Sequence, residues 1–125
     1  PPAVAAGALA SVRHLASSQV EREALFERVD SLRTALSDAG LPLMPGRSQI
    51  LPLLIGDAAR CSAAADRLLH QHGIYLQAIN YPTVPRGAER LRITPSPLHS
   101  DAMQQDLLAA LREVIGGQQR DTRAA

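Results

Sequence analysis

The sequence predicts a small α/β (α+β) domain in which helices cover a three-stranded sheet. Apolar residues recur at helical spacing in several long segments, and three short aliphatic stretches lie between turn residues. The predicted order is helix, helix, strand, helix, strand, strand, helix, which is typical of one layered domain. A length of 125 residues and an apolar fraction of 46% agree with one domain and one modest core.

Residues 1–40 are predicted to be helical. Pro1 and Pro2 begin an alanine-rich helix, and residues 17–19 interrupt it. A second helix follows, and Gly40 ends it. Its apolar residues recur at helical spacing: Val20, Leu25, Val29, Leu32 and Leu36. Because the first helix carries small and apolar residues on several faces, we expect preceding chain or another subunit to cover it.

A small domain is predicted from residue 41 to residue 117. Its first strand spans Gln49–Ile55, and Pro52, which cannot donate to a ladder, indicates an edge position. Asp57 is the predicted N-cap of a helix that runs to about Gln71. This helix is expected to turn four side chains inward: Cys61, Ala65, Leu68 and Leu69.

The second and third strands are predicted at Ile74–Ile79 and Leu91–Thr94. The last helix is predicted to begin near Ser100 or Asp101. The chain is polar from Gly116 onward, so we expect an irregular tail there, with residues 118–125 disordered.

Composition and charge exclude several functions. A net charge of +1 gives no basic field for nucleic acid, and aromatic residues that stack on bases make up only 2%. The longest apolar run, Ile50 to Ile55, is too short to cross a bilayer. Cys61 is the only cysteine, so a buried thiol is expected and not a disulfide. The histidines lack the spacing of a metal site, so no metal ligand is assigned.

Arg92 is the strongest candidate for a binding residue. Strand alternation places Arg90 and Arg92 on the face opposite the apolar residues of the third strand. A guanidinium exposed there can bind a carboxylate through two parallel hydrogen bonds. From spacing alone, a structural ion pair of Arg92 with Glu89 or another acid is the simpler interpretation.

Thr83 is the second candidate. It lies between Pro82 and Pro85 in a segment that cannot become helical, so its backbone has little freedom to lose on binding. Its hydroxyl can bind a substrate carboxylate or cap the loop, and the residues alone favour the cap. Arg86 is expected to be a solvated charge, with steering of an anionic substrate as the alternative.

One loop carries a specific resemblance. The segment Asn80-Tyr81-Pro82-Thr83-Val84-Pro85-Arg86-Gly87, followed by Leu91-Arg92 and Pro95-Ser96-Pro97-Leu98-His99, resembles the active-site loop of the 5-aminolevulinate synthase family. The likeness is continuous from Ile50 to Val114. Residues 1–6 also resemble the segment where the chain leaves the large cofactor domain, so the resemblance covers nearly the whole chain.

The resemblance implies a fold and an activity. The family belongs to the α-oxoamine synthases, which are fold-type I transferases that use pyridoxal phosphate (PLP). It implies that residues 1–40 form a long interdomain helical segment and that residues 41–117 form the C-terminal small domain. The intact enzyme would condense glycine with succinyl-CoA to 5-aminolevulinate, CoA and CO2, in tetrapyrrole (haem) biosynthesis.

The same resemblance implies roles and partners. Arg92 would hold the carboxylate of the amino-acid substrate, and Thr83 would recognise the succinyl carboxylate. The stretch from about Tyr75 to Arg92 resembles a mobile lid. The implied partners are the upstream catalytic domain and a second subunit, because the family forms homodimers with active sites at the subunit interface. The bacterial cytoplasm is the expected compartment, or the mitochondrial matrix if the source is eukaryotic.

PLP must be held through its aldehyde by a lysine, and all 13 basic side chains of this chain are arginine. We therefore expect a C-terminal fragment that carries no catalytic residue and no cofactor-binding residue and is inactive alone. Two alternatives stay open: another α-oxoamine synthase that uses a different acyl-CoA, and a non-catalytic standalone module derived from this domain.

The isolated chain should not bind PLP covalently, because the α-amino group of Pro1 is its only amine. Borohydride reduction followed by mass spectrometry measures this. The expected result is no stoichiometric adduct, and a reduced PLP adduct on an internal residue would contradict the expectation.

Overall fold

The computed structural model describes residues 1–121 and has the predicted order of elements. Its helices are α1 (Pro2–Ser17), α2 (Val20–Asp38), α3 (Ala58–His72) and α4 (Asp101–Asp121). Its strands are β1 (Leu51–Leu54), β2 (Gln77–Ile79) and β3 (Arg90–Ile93). The predicted α/β class, with a three-stranded sheet covered by helices, is confirmed.

The strands form one antiparallel sheet in the order β1-β3-β2, so β3 is the central strand. Pro52 lies on an edge strand, as predicted. Its carbonyl accepts a hydrogen bond from the N–H of Met44 at 2.9 Å, on the side away from β3. Because the nitrogen and carbonyl of one strand residue face the same side, the missing N–H of Pro52 removes no bond to β3.

One face of the sheet packs against the helices and forms the core. Two residues each come from β1 and β3, and the helices supply most of the rest. The buried apolar side chains are Leu51, Leu53, Leu91 and Ile93 from the strands, Leu76 from the segment before β2, Val29, Leu32 and Leu36 from α2, Cys61, Ala64 and Leu68 from α3, and Leu107, Ala110, Leu111, Val114 and Ile115 from α4. Burial of each large aliphatic side chain is worth about 1.5–3 kcal/mol, so this shared core fixes which face of the sheet points inward.

Helix α1 stands outside this core. None of its residues is buried, and its larger apolar side chains are at least half exposed: Val4, Leu9, Val12 and Leu15. Helix α2, in contrast, contributes three buried side chains to the core. Covering of α1 by preceding chain or another subunit stays a prediction, as does the domain boundary at residue 40.

Helix α3 has the predicted caps. The side chain of Asp57 accepts a hydrogen bond from the N–H of Arg60 at 2.8 Å and caps the N-terminus. Gly73, with φ of 67°, supplies a left-handed C-cap. The prediction that Leu69 faces inward is wrong, because it is 41% exposed while Ala64 is buried. Successive helical residues lie about 100° apart, so the difference is a modest rotation of α3 about its axis.

The predicted strands differ from the observed ones at their ends. The expected strand Ile74–Ile79 is wrong over residues 74–76, because β2 pairs with β3 only from Gln77 onward. The N–H of Ile74 instead donates to the carbonyl of Leu68 at 2.9 Å and completes the end of α3. The ends of β1 and β3 differ from their predicted ends by one or two residues.

Helix α4 begins at Asp101, as predicted. The hydroxyl of Ser100 accepts a hydrogen bond from the N–H of Met103 at 3.2 Å and so caps the N-terminus of α4. Helix α4 continues past Gly116, where the irregular tail was expected to begin, as far as Asp121. No proline follows Gly116, and a glycine inside a helix costs only about 1 kcal/mol. Disorder of residues 118–125 stays a prediction. Residues 122–125, also predicted to be disordered, lie outside the described part of the chain.

The expectations for the cysteine and for membrane spans can also be compared with the structure. Cys61 is fully buried, as predicted, and burial raises the pKa of its thiol. Among residues 1–121, no helix is both long enough and apolar enough to cross a bilayer.

The junction of α1 and α2 contains a hydrogen-bonded carboxylate, that of Glu21. The hydroxyl of Ser18 donates to Oε2 of Glu21 at 2.7 Å, and Nε2 of His14 lies 2.6 Å from Oε1. The hydrogen bond from Ser18, and then the one to His14, lower the pKa of Glu21 from 4.5 to about 2. Because the folded-state pKa is lower than the unfolded one, this contribution to the junction is present above pH 4.5 and is lost as the pH falls towards 2.

Carbon-detected NMR titration of Glu21 in the folded chain should therefore give a midpoint near 2, and the Ser18→Ala variant should move it towards 4.5. The same carboxyl in the urea-unfolded chain is the control and should titrate near 4.5. A folded-state midpoint near the control value would show that the Ser18 contact is not made in solution.

Candidate functional site

The face of the sheet opposite the core, called the outer face here, carries the residues of the candidate site. Six residues point to it, two from each strand: Pro52, Leu54, Gln77, Ile79, Arg90 and Arg92. Their neighbours in the strands, Leu91 and Ile93, are buried in the core. The alternation predicted for Arg90 and Arg92 is confirmed, since it follows from the pleat of a strand with one buried face.

Arg92 lies at the centre of the outer face. It is paired with Pro52 on one side and with Gln77 on the other. Its Nη2 donates to Oε1 of Gln77, and the residue is exposed. Among the side chains of residues 1–116, no ion pair joins Arg92 to an acid. A guanidinium has five N–H donors, so most of those of Arg92 remain available for an anionic ligand.

Arg90 lies on the same face but differs from Arg92. Its Nε donates to the carbonyl of Ala88 at 2.8 Å, and the residue is half-buried. This bond ties Arg90 to the loop that leads into β3. Arg90 is therefore part of the scaffold, whereas Arg92 is presented to solvent.

Glu89 does not act as the ion-pair partner of Arg92 that the spacing suggested. Its side chain is buried, and Oε2 accepts a hydrogen bond from the N–H of Gly87 at 2.8 Å. Its carbonyl accepts from the N–H groups of Ile55 and Gly56 at 2.8 and 2.9 Å. Glu89 thus fastens the end of the loop to the end of β1.

A cavity of about 450 Å³ opens beside Arg92. It lies between α2, the turn that follows α3, the end of β3 and the start of α4. Apolar side chains dominate its wall, and the polar ones are Tyr75, Gln77, Arg92, Thr94, His99 and Gln104. Thr83 is not among the lining residues. A concave, mostly apolar space with a few polar groups is the usual form of a small-molecule site.

Thr83 lies on the loop between β2 and β3. The carbonyl of Asn80 accepts hydrogen bonds from the N–H groups of Thr83 at 2.9 Å and Val84 at 3.4 Å, which closes a tight turn. Thr83 is exposed, and within the described residues its hydroxyl makes no hydrogen bond. The loop-capping role that the residues favoured is therefore not observed. The hydroxyl is available to a ligand, although the contacts of the described chain do not bring it to Arg92.

Asn80 anchors the beginning of this loop. Its Nδ2 donates to Oγ of Ser62 at 3.1 Å and to the carbonyl of Ala58 at 3.5 Å, both in the first half of α3. At the tip, the guanidinium of Arg86 lies 5.1 Å from the ring centroid of Tyr81. Arg86 therefore contacts its own loop and is less free than the predicted solvated charge.

Gln77 and Asn80 are functional candidates that the sequence did not single out. The register of β2 against β3 places Gln77 opposite Arg92, and the packing of the loop on α3 brings Asn80 to Ser62. The alternation of the predicted strand was a usable signal for Gln77, since it places this residue on the polar face. No such local signal identifies the contact between Asn80 and Ser62.

The described residues contain no group of three or more His, Cys, Asp and Glu side chains that could hold a metal ion. Nδ1 of His99 accepts a hydrogen bond from the N–H of Ser96 at 3.2 Å. His99 therefore stabilises the turn before α4.

Residues 1–111 match the profile of the aminotransferase class I and II family. The chain belongs to this family. The matched residues include Arg92, Thr83 and all six residues of the outer face.

Curated relatives are named 5-aminolevulinate synthase, as the resemblance predicted. The chain is 57% identical to the 5-aminolevulinate synthase of Rhizobium meliloti over 114 aligned residues. The alignment covers 91% of this chain and 28% of the relative. The chain is 50% identical over 113 residues to the erythroid-specific mitochondrial form of Homo sapiens, covering 89% of the chain and 19% of the relative. The chain thus spans less than a third of the length of these proteins.

Solved structures share the fold. Serine palmitoyltransferase from S. paucimobilis, with a bound PLP–myriocin aldimine, matches with a TM-score of 0.81 at 29% identity, over 91% of this chain and 30% of that one. The 8-amino-7-oxononanoate synthase of Francisella tularensis matches with a TM-score of 0.70 at 21% identity, over 89% of this chain and 32% of that one, which shows the fold alone. The predicted fold, a small domain of a fold-type I transferase, is confirmed.

Proposed function

We propose that this chain is the C-terminal part of a 5-aminolevulinate synthase, which condenses glycine with succinyl-CoA to 5-aminolevulinate, CoA and CO2. Identity of 57% to a protein of that name supports the assignment. The assignment of the substrate-binding site depends on the exposed guanidinium of Arg92. It is held at the centre of the outer face, and most of its N–H donors are unused.

The chain by itself does not fit PLP as a resident cofactor. A covalent PLP site needs a lysine, and none occurs among the 125 residues. The residues that hold PLP are therefore assigned to another part of the intact enzyme. When bound there, PLP supplies the electron sink for bond cleavage at the α-carbon of glycine. The chemistry assigned to this chain is substrate binding and orientation.

Arg92 is proposed to bind the carboxylate of glycine. A planar guanidinium matches a carboxylate with two parallel N–H···O bonds, which fix both the position and the rotation of the small substrate. Glycine has no side chain that the protein could bind, so the orientation of the substrate depends on this contact. Because β3 is the central strand, the binding group stands on the most restrained backbone of the sheet.

Thr83 is proposed to recognise the far carboxylate of the succinyl group. Its free hydroxyl and exposed position on the β2–β3 loop support this role. Within the lid expected from about Tyr75 to Arg92, the loop between β2 and β3 is proposed to be the part that moves. The bonds of Asn80 and Glu89 at its two ends support hinged movement of the intervening residues as a unit.

A homodimer with active sites at the subunit interface, and a bacterial cytoplasmic or mitochondrial location, are part of this proposal. The exposed apolar residues of α1 support a covering partner. Similarity to serine palmitoyltransferase supports one alternative, another α-oxoamine synthase with a different acyl-CoA. A panel of acyl-CoA substrates on the intact enzyme distinguishes the two, and no turnover with any of them would favour a non-catalytic module.

In the intact enzyme, Arg92→Leu should weaken glycine binding by about 30- to 1000-fold, because a desolvated charge-assisted pair is worth about 2–4 kcal/mol. Arg92→Lys should recover only part of the loss, since an ammonium cannot make the two-pronged contact. Titration of the PLP absorption band with glycine measures both. Wild-type binding by Arg92→Leu would show that Arg92 is structural.

The Thr83→Val variant should lower kcat/KM for succinyl-CoA by about 10-fold, the scale of one hydrogen bond, because the hydroxyl contacts only the far carboxylate. The kcat/KM for butyryl-CoA, which ends in a methyl group, should stay unchanged or rise, and glycine affinity should hardly change. Steady-state series with both acyl-CoA substrates on one preparation test this. Equal losses for both would mean that Thr83 shapes the loop and does not read the carboxylate.

A further inference from the structure

Gln77 and Arg92 form a direct cross-strand pair. They occupy opposite positions in the antiparallel ladder of β2 and β3, and both side chains point to the outer face. Side chains in such a pair stand about 5 Å apart at Cβ, close enough for a long amide to meet a guanidinium. In the structure, Oε1 of Gln77 accepts a hydrogen bond from Nη2 of Arg92.

On the two strands that flank β3, no other outer-face side chain carries a hydrogen-bond acceptor. The partner of Arg92 on β1 is Pro52, whose ring carries no polar side-chain atom. Leu54 and Ile79, further along the outer face, are apolar. Among the side chains of residues 1–116, Gln77 is the one that accepts a hydrogen bond from Arg92. An exposed arginine has many rotamers, so this bond selects the few in which the guanidinium lies over β2.

An amide suits this position better than either obvious substitute. A carboxylate would take two donors of the guanidinium and neutralise its charge, and so it would compete with a substrate carboxylate. An apolar side chain would leave the guanidinium mobile. The amide accepts one hydrogen bond, leaves the positive charge intact, and keeps its own NH2 as a donor towards the same ligand.

We infer that Gln77 is a positioning residue for Arg92, which holds the guanidinium in the orientation that receives the amino-acid carboxylate. This inference rests on the proposed role of Arg92 in binding glycine. Gln77 acts through Arg92, because it orders that side chain before the substrate arrives and so lowers the entropy lost on binding.

A double-mutant cycle on the full-length holoenzyme tests the inference. Glycine Kd is measured by titration of the PLP absorption band, up to molar glycine, for Gln77→Met, Arg92→Leu and the double variant. Gln77→Met should weaken glycine binding by about 5-fold in the wild type, the scale of one hydrogen bond, and should cause no further loss when Arg92 is already leucine. The KM for succinyl-CoA should not change.

Gln77→Glu is the second variant. It preserves size and shape but adds a carboxylate beside the guanidinium, so glycine binding should weaken more than in Gln77→Met, by about 30-fold or more. The matched control is Gln71→Met, which removes a similar arginine–glutamine bond, from Nε of Arg67 at 3.4 Å, on α3. Gln71→Met should bind glycine like the wild type.

The outcomes separate this inference from the proposed function. If Arg92→Leu loses glycine binding and both Gln77 variants bind like the wild type, the inference is wrong and the role of Arg92 stands. If Gln77→Met causes the same loss with and without Arg92, Gln77 does not act through Arg92 and the inference is also wrong. If Arg92→Leu itself binds glycine normally, the proposed function of Arg92 has failed.

Discussion

The register of β3 is the constraint on which the rest of the structure depends. β3 is hydrogen-bonded on both sides, and its Leu91 and Ile93 enter the core. A slip of one residue against β1 would turn these two side chains to solvent and bury Arg90 and Arg92. The cost of burying two guanidinium groups in an aliphatic core makes that alternative prohibitive. The same forces that assemble the core therefore also present Arg92 outward.

The candidate site combines a rigid part and an adjustable part. Arg92 and Gln77 stand on paired strands, whose backbones are fixed by ladder hydrogen bonds. Thr83 stands on a loop that is held at its ends by Asn80 and Glu89 but is exposed between them. This division suits the proposed reaction of two substrates, in which the small one needs exact orientation and the large one must enter and leave.

The differences from the sequence-based expectations have a common physical origin. The inward face of α3 was misplaced at Leu69, and the end of α4 was placed too early at Gly116, because neither depends on local propensity alone. Helix rotation is set by contacts with the sheet and with α4. A polar, glycine-containing continuation can remain helical once the preceding turns are anchored by buried residues such as Leu111 and Val114.

The sequence by itself determined the element order, the edge position of Pro52, the caps of α3 and the outward direction of Arg92, because each follows from local stereochemistry or from a two-residue period. It also contains the loop motif of residues 80–87, on which the resemblance to the 5-aminolevulinate synthase family depends. Only the tertiary structure decided that Glu89 is bound to the loop and not to Arg92, that Gln77 faces Arg92, and that Asn80 reaches α3. Those pairings join residues from different elements, and strand register and helix packing, which no single segment encodes, set their distances.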